Sequence, residues 1–101
     1  MSYSDEQLLQ ARVKVPEHVV RRAFANETVV LNLHSGQYHG LNATAAAMID
    51  ALEGGEHPVA IAARIAAAAG QPAERVETDL VTLVRALAER GLVELDGDDP
   101  A

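Results

Sequence analysis

A mixed α+β domain, a three-stranded antiparallel sheet followed by three helices, is the fold this sequence predicts. Three observations carry that prediction. Two-residue alternation is confined to the first half, where Val29, Leu31 and Leu33 share one face and Val30 and Asn32 the other. Helical spacing is confined to the second half, most clearly in Val76, Leu80, Leu83, Val84 and Leu87. Turn and stop residues at Ser35-Gly36, Gly54-Gly55, Gly70 and Gly91 separate the segments.

The elements follow in order. Residues 1–10 contain Leu8 and Leu9 without a sustained period, which predicts a flexible N-terminus. His18 to Ala25 reads as a first strand, with Pro16 just ahead of it, where a missing N–H does little harm. Asn26-Glu27 supplies a turn, Thr28 to Leu33 a second strand, Ser35-Gly36 a further turn, and Gln37 to Leu41 a third short strand. Asn42 can cap a helix over Ala43 to Glu53, which Gly54-Gly55 stops. Pro58 suits the first turn of a second helix running to Gly70, and Gln71-Pro72 opens a third that ends before Gly91. Leu92 to Leu95 adds a short extended segment. The last two helices with that segment are winged helix-turn-helix-like. One domain is expected over residues 11–95, and residues 96–101 are expected to be an acidic, flexible tail.

Composition narrows the function. The 101 residues suffice for one compact domain, and 49% apolar content excludes general disorder. Nineteen residues are Ala and only 3% are aromatic, so packing rests on 25 Val, Leu and Ile residues. No apolar run approaches the ~20 residues of a membrane span, and MSYSDEQ is no signal peptide, which makes a cytoplasmic protein with no membrane partner the expectation. The absence of Cys excludes disulfides, thiolate zinc sites, iron–sulfur clusters and thiol catalysis.

With 15 acidic against 8 basic side chains, the net charge of −7 opposes nucleic-acid binding. The third helix, which motif shape alone would lay on DNA, carries Glu74, Glu77, Asp79 and Glu89 against Arg75, Arg85 and Arg90. A winged-helix DNA regulator is therefore the weaker alternative.

No catalytic constellation stands out. Of the four histidines only His34 and His39 can meet, across one hairpin, and no acidic residue between Glu27 and Asp50 completes a metal site. Ser2, Ser4 and Ser35 fall in no nucleophile elbow, and no glycine-rich phosphate loop is present. The expectation is a protein that is not an enzyme and holds no metal or cofactor.

What remains is an exposed sheet edge beside a helix, where an extended peptide can add itself as a further strand. Gly40 would let a foreign backbone approach, or is a simple bend before the helix. Tyr38 would line a pocket, or is an ordinary cross-strand aromatic. The apolar arc of the third helix is wider than one sheet face needs, so part of it is available to a guest; Asp79 borders it, either meeting that guest or standing in solvent. Arg12, Lys14, Arg21 and Arg22 are half of the basic residues, and serve either an acidic partner or the solubility of an edge.

VVLNLHSGQYHGLNATAAAMIDALEGG, residues 29–55, resembles the PqqD-like leader-peptide-recognition domains, the RiPP recognition elements, and among them the free-standing members of lasso-peptide biosynthesis. The features that carry the likeness are a Leu-x-Leu strand (Leu31, Leu33), a Ser-Gly-x-Tyr turn (Ser35, Gly36, Tyr38) and a Gly-Leu-Asn exit (Gly40, Leu41, Asn42). Val76, Asp79 and Leu80 with the ending Arg90-Gly91-Leu92-Val93 extend it to roughly residues 15–95. Two positions depart from the family pattern: Asp50 stands after Ile49 in place of a bulky aromatic, and His39 after Tyr38 in place of a second Tyr.

The resemblance implies a non-catalytic adaptor. The leader of a ribosomally made precursor docks as an extra antiparallel strand between the third strand and third helix. The precursor then passes to a leader peptidase and an ATP-dependent lasso cyclase. The residues implied are Gln37, Tyr38, His39, Gly40 and Leu41 for pairing, with Val76, Asp79, Leu80 and Leu83 as the helical wall. Two or three apolar anchors and several strand hydrogen bonds, less the cost of ordering the leader, give an expected Kd from about micromolar to tens of nanomolar. An alternative client is the precursor of a radical enzyme. Weak self-association through the open edge is a further expectation.

Overall fold

A computed structural model describes residues 3–96. The first element of the described residues is a helix, α1 (Asp5–Gln10), within the stretch 1–10 that the sequence predicts to be flexible. The reason is a capping box: the Gln7 N–H donates to Ser4 Oγ at 3.1 Å, and the Ser4 N–H donates to Gln7 Oε1 at 2.8 Å. A helix of one and a half turns is too short to show a period. It is held by docking, with Leu8 1% exposed against α3 and α4.

Next comes β1 (Arg12–Lys14), a strand that the sequence does not announce. It pairs antiparallel with β5 (Glu94–Asp96), Val13 opposite Leu95, so the short segment expected after the last helix closes a two-stranded ribbon. Residues 97–101 of the expected acidic tail lie outside the described residues.

The three-stranded sheet is as expected: β2 (Val19–Ala23), β3 (Thr28–Asn32) and β4 (Tyr38–Leu41), in the order β2-β3-β4 and antiparallel throughout. The three helices that follow are α2 (Ala43–Glu53), α3 (Pro58–Ala69) and α4 (Ala73–Glu89). Asn42 Oδ1 accepts from the Ala45 N–H at 2.8 Å and caps α2, while Gly70, at φ 66°, ends α3 in the left-handed conformation. Among the described residues no helix is long and apolar enough to cross a membrane.

The core is one continuous cluster in which Ile49, Leu52, Ile61, Leu80, Val84, Leu87 and Leu92 are enclosed. Val19, Val30 and Leu41 are the three-stranded sheet's contribution to it. Arg21 ties β2 to α2, forming ion pairs with Asp50 and with Glu53, the latter at 2.7 Å. One member of the basic cluster is thereby committed within the fold.

Candidate functional site

Strand alternation sorts the sheet into two faces. Val30 and Asn32 turn inward, and Val29 and Leu31 turn outward. Register adds to the outer face Val20 and Tyr38, both opposite Leu31, and Arg22 and Gly40, both opposite Val29. Phe24, Leu33 and Tyr38 are the large apolar side chains left exposed, at 64%, 59% and 66%. Tyr38 is therefore no core aromatic; its ring stands in water beside Leu31.

Asn32 is the buried polar residue of the sheet, and it explains where α4 sits. Its Oδ1 accepts from the N–H groups of His34 and Ser35, at 2.9 and 3.2 Å, and fixes the turn before β4. Its Nδ2 donates to the carbonyls of Gly91 and Arg90, at 3.1 and 3.4 Å, and fixes the end of α4. Gly91 stands at φ 66°, and a Cβ on it would lie 2.8 Å from Asn32 Nδ2, so both conformation and space require glycine. One amide thus clamps the C-terminal end of α4 to the start of β4.

The far edge of β4 is open among the described residues. The Asn32 N–H donates to the Gln37 carbonyl at 2.8 Å, which sets the alternation. His39 and Leu41 then exchange their bonds with β3, while Tyr38 and Gly40 turn two N–H and two C=O groups to the open side. Gly40 is not held to glycine by a positive φ; a Cβ there would lie 2.8 Å from the carboxylate of the exposed Glu27 side chain.

Of the residues the sequence puts at the site, Gln37 immediately precedes β4, and Tyr38, His39, Gly40 and Leu41 form it. Leu41 is buried, so it offers only backbone. On α4, Asp79 is exposed and Leu83 half-buried, whereas Val76 and Leu80 are buried in the core. The stripe that does reach the surface recurs at helical spacing as Asp79, Leu83, Ala86 and Arg90. Ala86 escapes the sequence reading because it is small, and Arg90 enters that reading only through the helix's charge balance and the ending Arg90-Gly91-Leu92-Val93, not as part of the wall. The signal was there in the spacing from Asp79 and Leu83. α4 does not pack along β4, and the two approach at the Arg90 end, where Ser35, Gly36, Gln37, Tyr38 and Arg90 line a shallow cavity of about 490 Å³. A second cavity, of about 700 Å³, lies on the other flank of α4, against Tyr3, Leu8 and Leu95.

His34 and His39 do not meet. His34 stacks on His18, ring centroids 4.0 Å apart and 10° from parallel. His39 turns inward from β4, and burial, then the Arg90 guanidinium, lower its pKa below the ordinary imidazole value. Among the described residues no three His, Cys, Asp or Glu side chains are grouped closely enough to hold a metal ion.

Comparison with known proteins adds three findings. Residues 27–93 match the family model described as coenzyme PQQ synthesis protein D (PqqD). Two solved structures are similar over nearly their whole length. TbiB1, solved in complex with the TbiA(beta) leader peptide, shares 35% identity over 84% of this chain and 99% of its own, with a TM-score of 0.73. A lasso peptide synthetase B1, complexed with the leader peptide, shares 26% identity over 83% of this chain and 99% of its own, with a TM-score of 0.76. Among curated proteins none matches.

Proposed function

This chain belongs to the PqqD family, and from that premise we propose that it is a non-catalytic adaptor that binds the leader segment of a ribosomally made precursor peptide. The observation that carries this reading is the open edge of β4, in a chain whose solved relatives are each complexed with a leader peptide. Tyr38 and Gly40 supply the main-chain groups for an added strand, with Gln37, His39 and Leu41 as their neighbours in sequence. Asp79 and Leu83 supply the accessible part of the helical wall, while Val76 and Leu80 support it from beneath.

The client is a lasso-peptide precursor, which the likeness to a lasso peptide synthetase B1 favours over the precursor of a radical enzyme. In this reading the adaptor works in the cytoplasm and presents the leader to a peptidase and then to a cyclase. Catalysis belongs to those partners. A carrier of this kind needs saturable but reversible binding, and the open edge with a few apolar anchors suits that range.

The test is a fluorescence anisotropy titration of a labelled synthetic leader, taken from the short precursor frame beside this chain's gene. Saturation at micromolar or lower concentration is expected, weakened at least about tenfold when the leader's apolar anchors become Ala. Binding that is indifferent to those anchors would remove the reading.

A further inference from the structure

Arg90 stands where α4 comes up to the sheet, and its position is set by main chain, since its own carbonyl and that of Gly91 are held by Asn32. Its side chain is little used. One guanidinium N–H donates to the Ala86 carbonyl at a long 3.4 Å, which leaves most of five donors unspent. Arg21, Arg64 and Arg85 each meet a carboxylate, whereas Arg90, like Arg22 and Arg75, forms no ion pair with any described residue.

The cavity in front of Arg90 has the same character. Ser35 Oγ accepts from the Gln37 N–H at 3.2 Å, so its O–H is left to donate, and the Gln37 carboxamide adds further donors. No acidic residue lines it. In a chain of net charge −7, a cavity lined by one cation and several donors runs against the average surface. The cation's field reaches β4, where it opposes protonation of His39.

We propose that this cavity receives a carboxylate, the side chain of an Asp or Glu in the peptide that pairs with β4, with Arg90 as its principal partner. The inference rests on the strand-addition reading and deepens it. A guest antiparallel to β4 has its C-terminal end beside Tyr38, so the acidic residue belongs at, or just beyond, the last residue that pairs. Its role is register. Apolar anchors at two-residue spacing tolerate a slip of two, but a single ion pair at one end of the strand does not.

The experiment uses the full chain and the labelled synthetic leader described above, with copies in which each Asp or Glu is changed in turn to Asn or Gln. One such copy is expected to bind about five- to thirtyfold more weakly, and Arg90→Gln to lose the same factor against the unchanged leader. Because both changes remove one interaction, combining them should cost no more than either alone. Arg90→Glu should regain affinity for a leader carrying Lys at that position. Arg90→Gln leaves the main-chain bonds to Asn32 in place, and circular dichroism with a thermal melt verifies that the fold is kept. Leader binding within twofold of the parent in Arg90→Gln, or losses that add, would overturn the carboxylate site while leaving strand addition intact. A parent protein that binds no leader would overturn both.

Discussion

Ile61, Ala62, Leu80 and Leu87 are wholly enclosed where α3 meets α4, whereas Tyr38 on the three-stranded sheet and Phe24 and Leu33 at the ends of its strands keep 66%, 64% and 59% of their surface in water. The two regions use apolar residues for different ends. Enclosed side chains contribute their full transfer free energy to folding, about 1.5–3 kcal/mol each, while exposed ones contribute little until something covers them. The helices, with α1 and the β1–β5 ribbon, hold the molecule together. The sheet is held out from that body by a few defined ties, chiefly Val19, Val30, Leu41, Asn32 and the Arg21 ion pairs; one face is largely uncovered, and the far edges of β2 and β4 pair with no described strand.

The sharpest way to break this division is to truncate one side chain in each region. Leu80→Ala or Leu87→Ala should cost about 2–5 kcal/mol in urea denaturation, through lost transfer energy and an unfilled cavity. Leu33→Ala should cost less than about 0.5 kcal/mol. Similar losses at the two places would mean that the sheet carries stability which its exposure does not suggest.

The tie between the regions comes next in size. Asn32→Ala leaves the His34 and Ser35 N–H groups and the Arg90 and Gly91 carbonyls without their shared partner, and should cost about 2–3 kcal/mol. Gly91→Ala attacks the same joint from the other side, through a left-handed φ and a 2.8 Å approach to Asn32, and should cost about 1–2 kcal/mol or more. If the clamp fixes α4 against the sheet, the double variant loses less than the sum of the two, which denaturation of all four proteins would show.

Paired proline substitutions in β4 test the edge itself. Gly40→Pro removes an N–H that faces the open side, so the fold should survive and leader binding should fall at least about tenfold. His39→Pro removes an N–H bonded to β3 and should cost about 3 kcal/mol of stability. Leader binding unaffected in a folded Gly40→Pro variant would rule out strand addition at this edge.

Much of this organisation was legible in the residues. Alternation over Val29 to Leu33, the Asn42 cap and the Gly54, Gly70 and Gly91 stops lead directly to the sheet and three helices that the structure contains. What escaped depends on distant partners. The segment α1 is a helix because Ser4 and Gln7 cap each other and Leu8 finds a core, and β1 is a strand because β5 returns beside it from the far end of the chain. At the candidate site the edge strand could be read from sequence, but the depth of the helix residues could not. A repeating apolar stripe says that Val76 and Leu80 are on the packed side without saying how far they are enclosed, and at 6% and 0% exposure both belong to the core. Asn32 looked like an ordinary polar residue within a strand, because nothing local shows that its partners are 58 and 59 residues away.

The smallest expected effect separates the regions by their response to acid. His39 lies on the inward side of β4, where burial and then the charge of Arg90 lower its pKa, so the folded chain binds fewer protons there than the unfolded chain. Its contribution to stability is therefore complete above the ordinary imidazole range. It is lost as pH falls through that range toward the lowered folded value, and below both it changes no further. Urea midpoints measured at about pH 7.5 and about pH 5 should show a steeper fall for the parent than for His39→Gln, which cannot titrate. Arg90→Gln removes only the second of the two causes and should recover a smaller part of the difference. If His39→Gln fell as steeply as the parent, the acid response would arise elsewhere. Full recovery in Arg90→Gln would mean that charge, and not burial, dominates at this corner of the sheet.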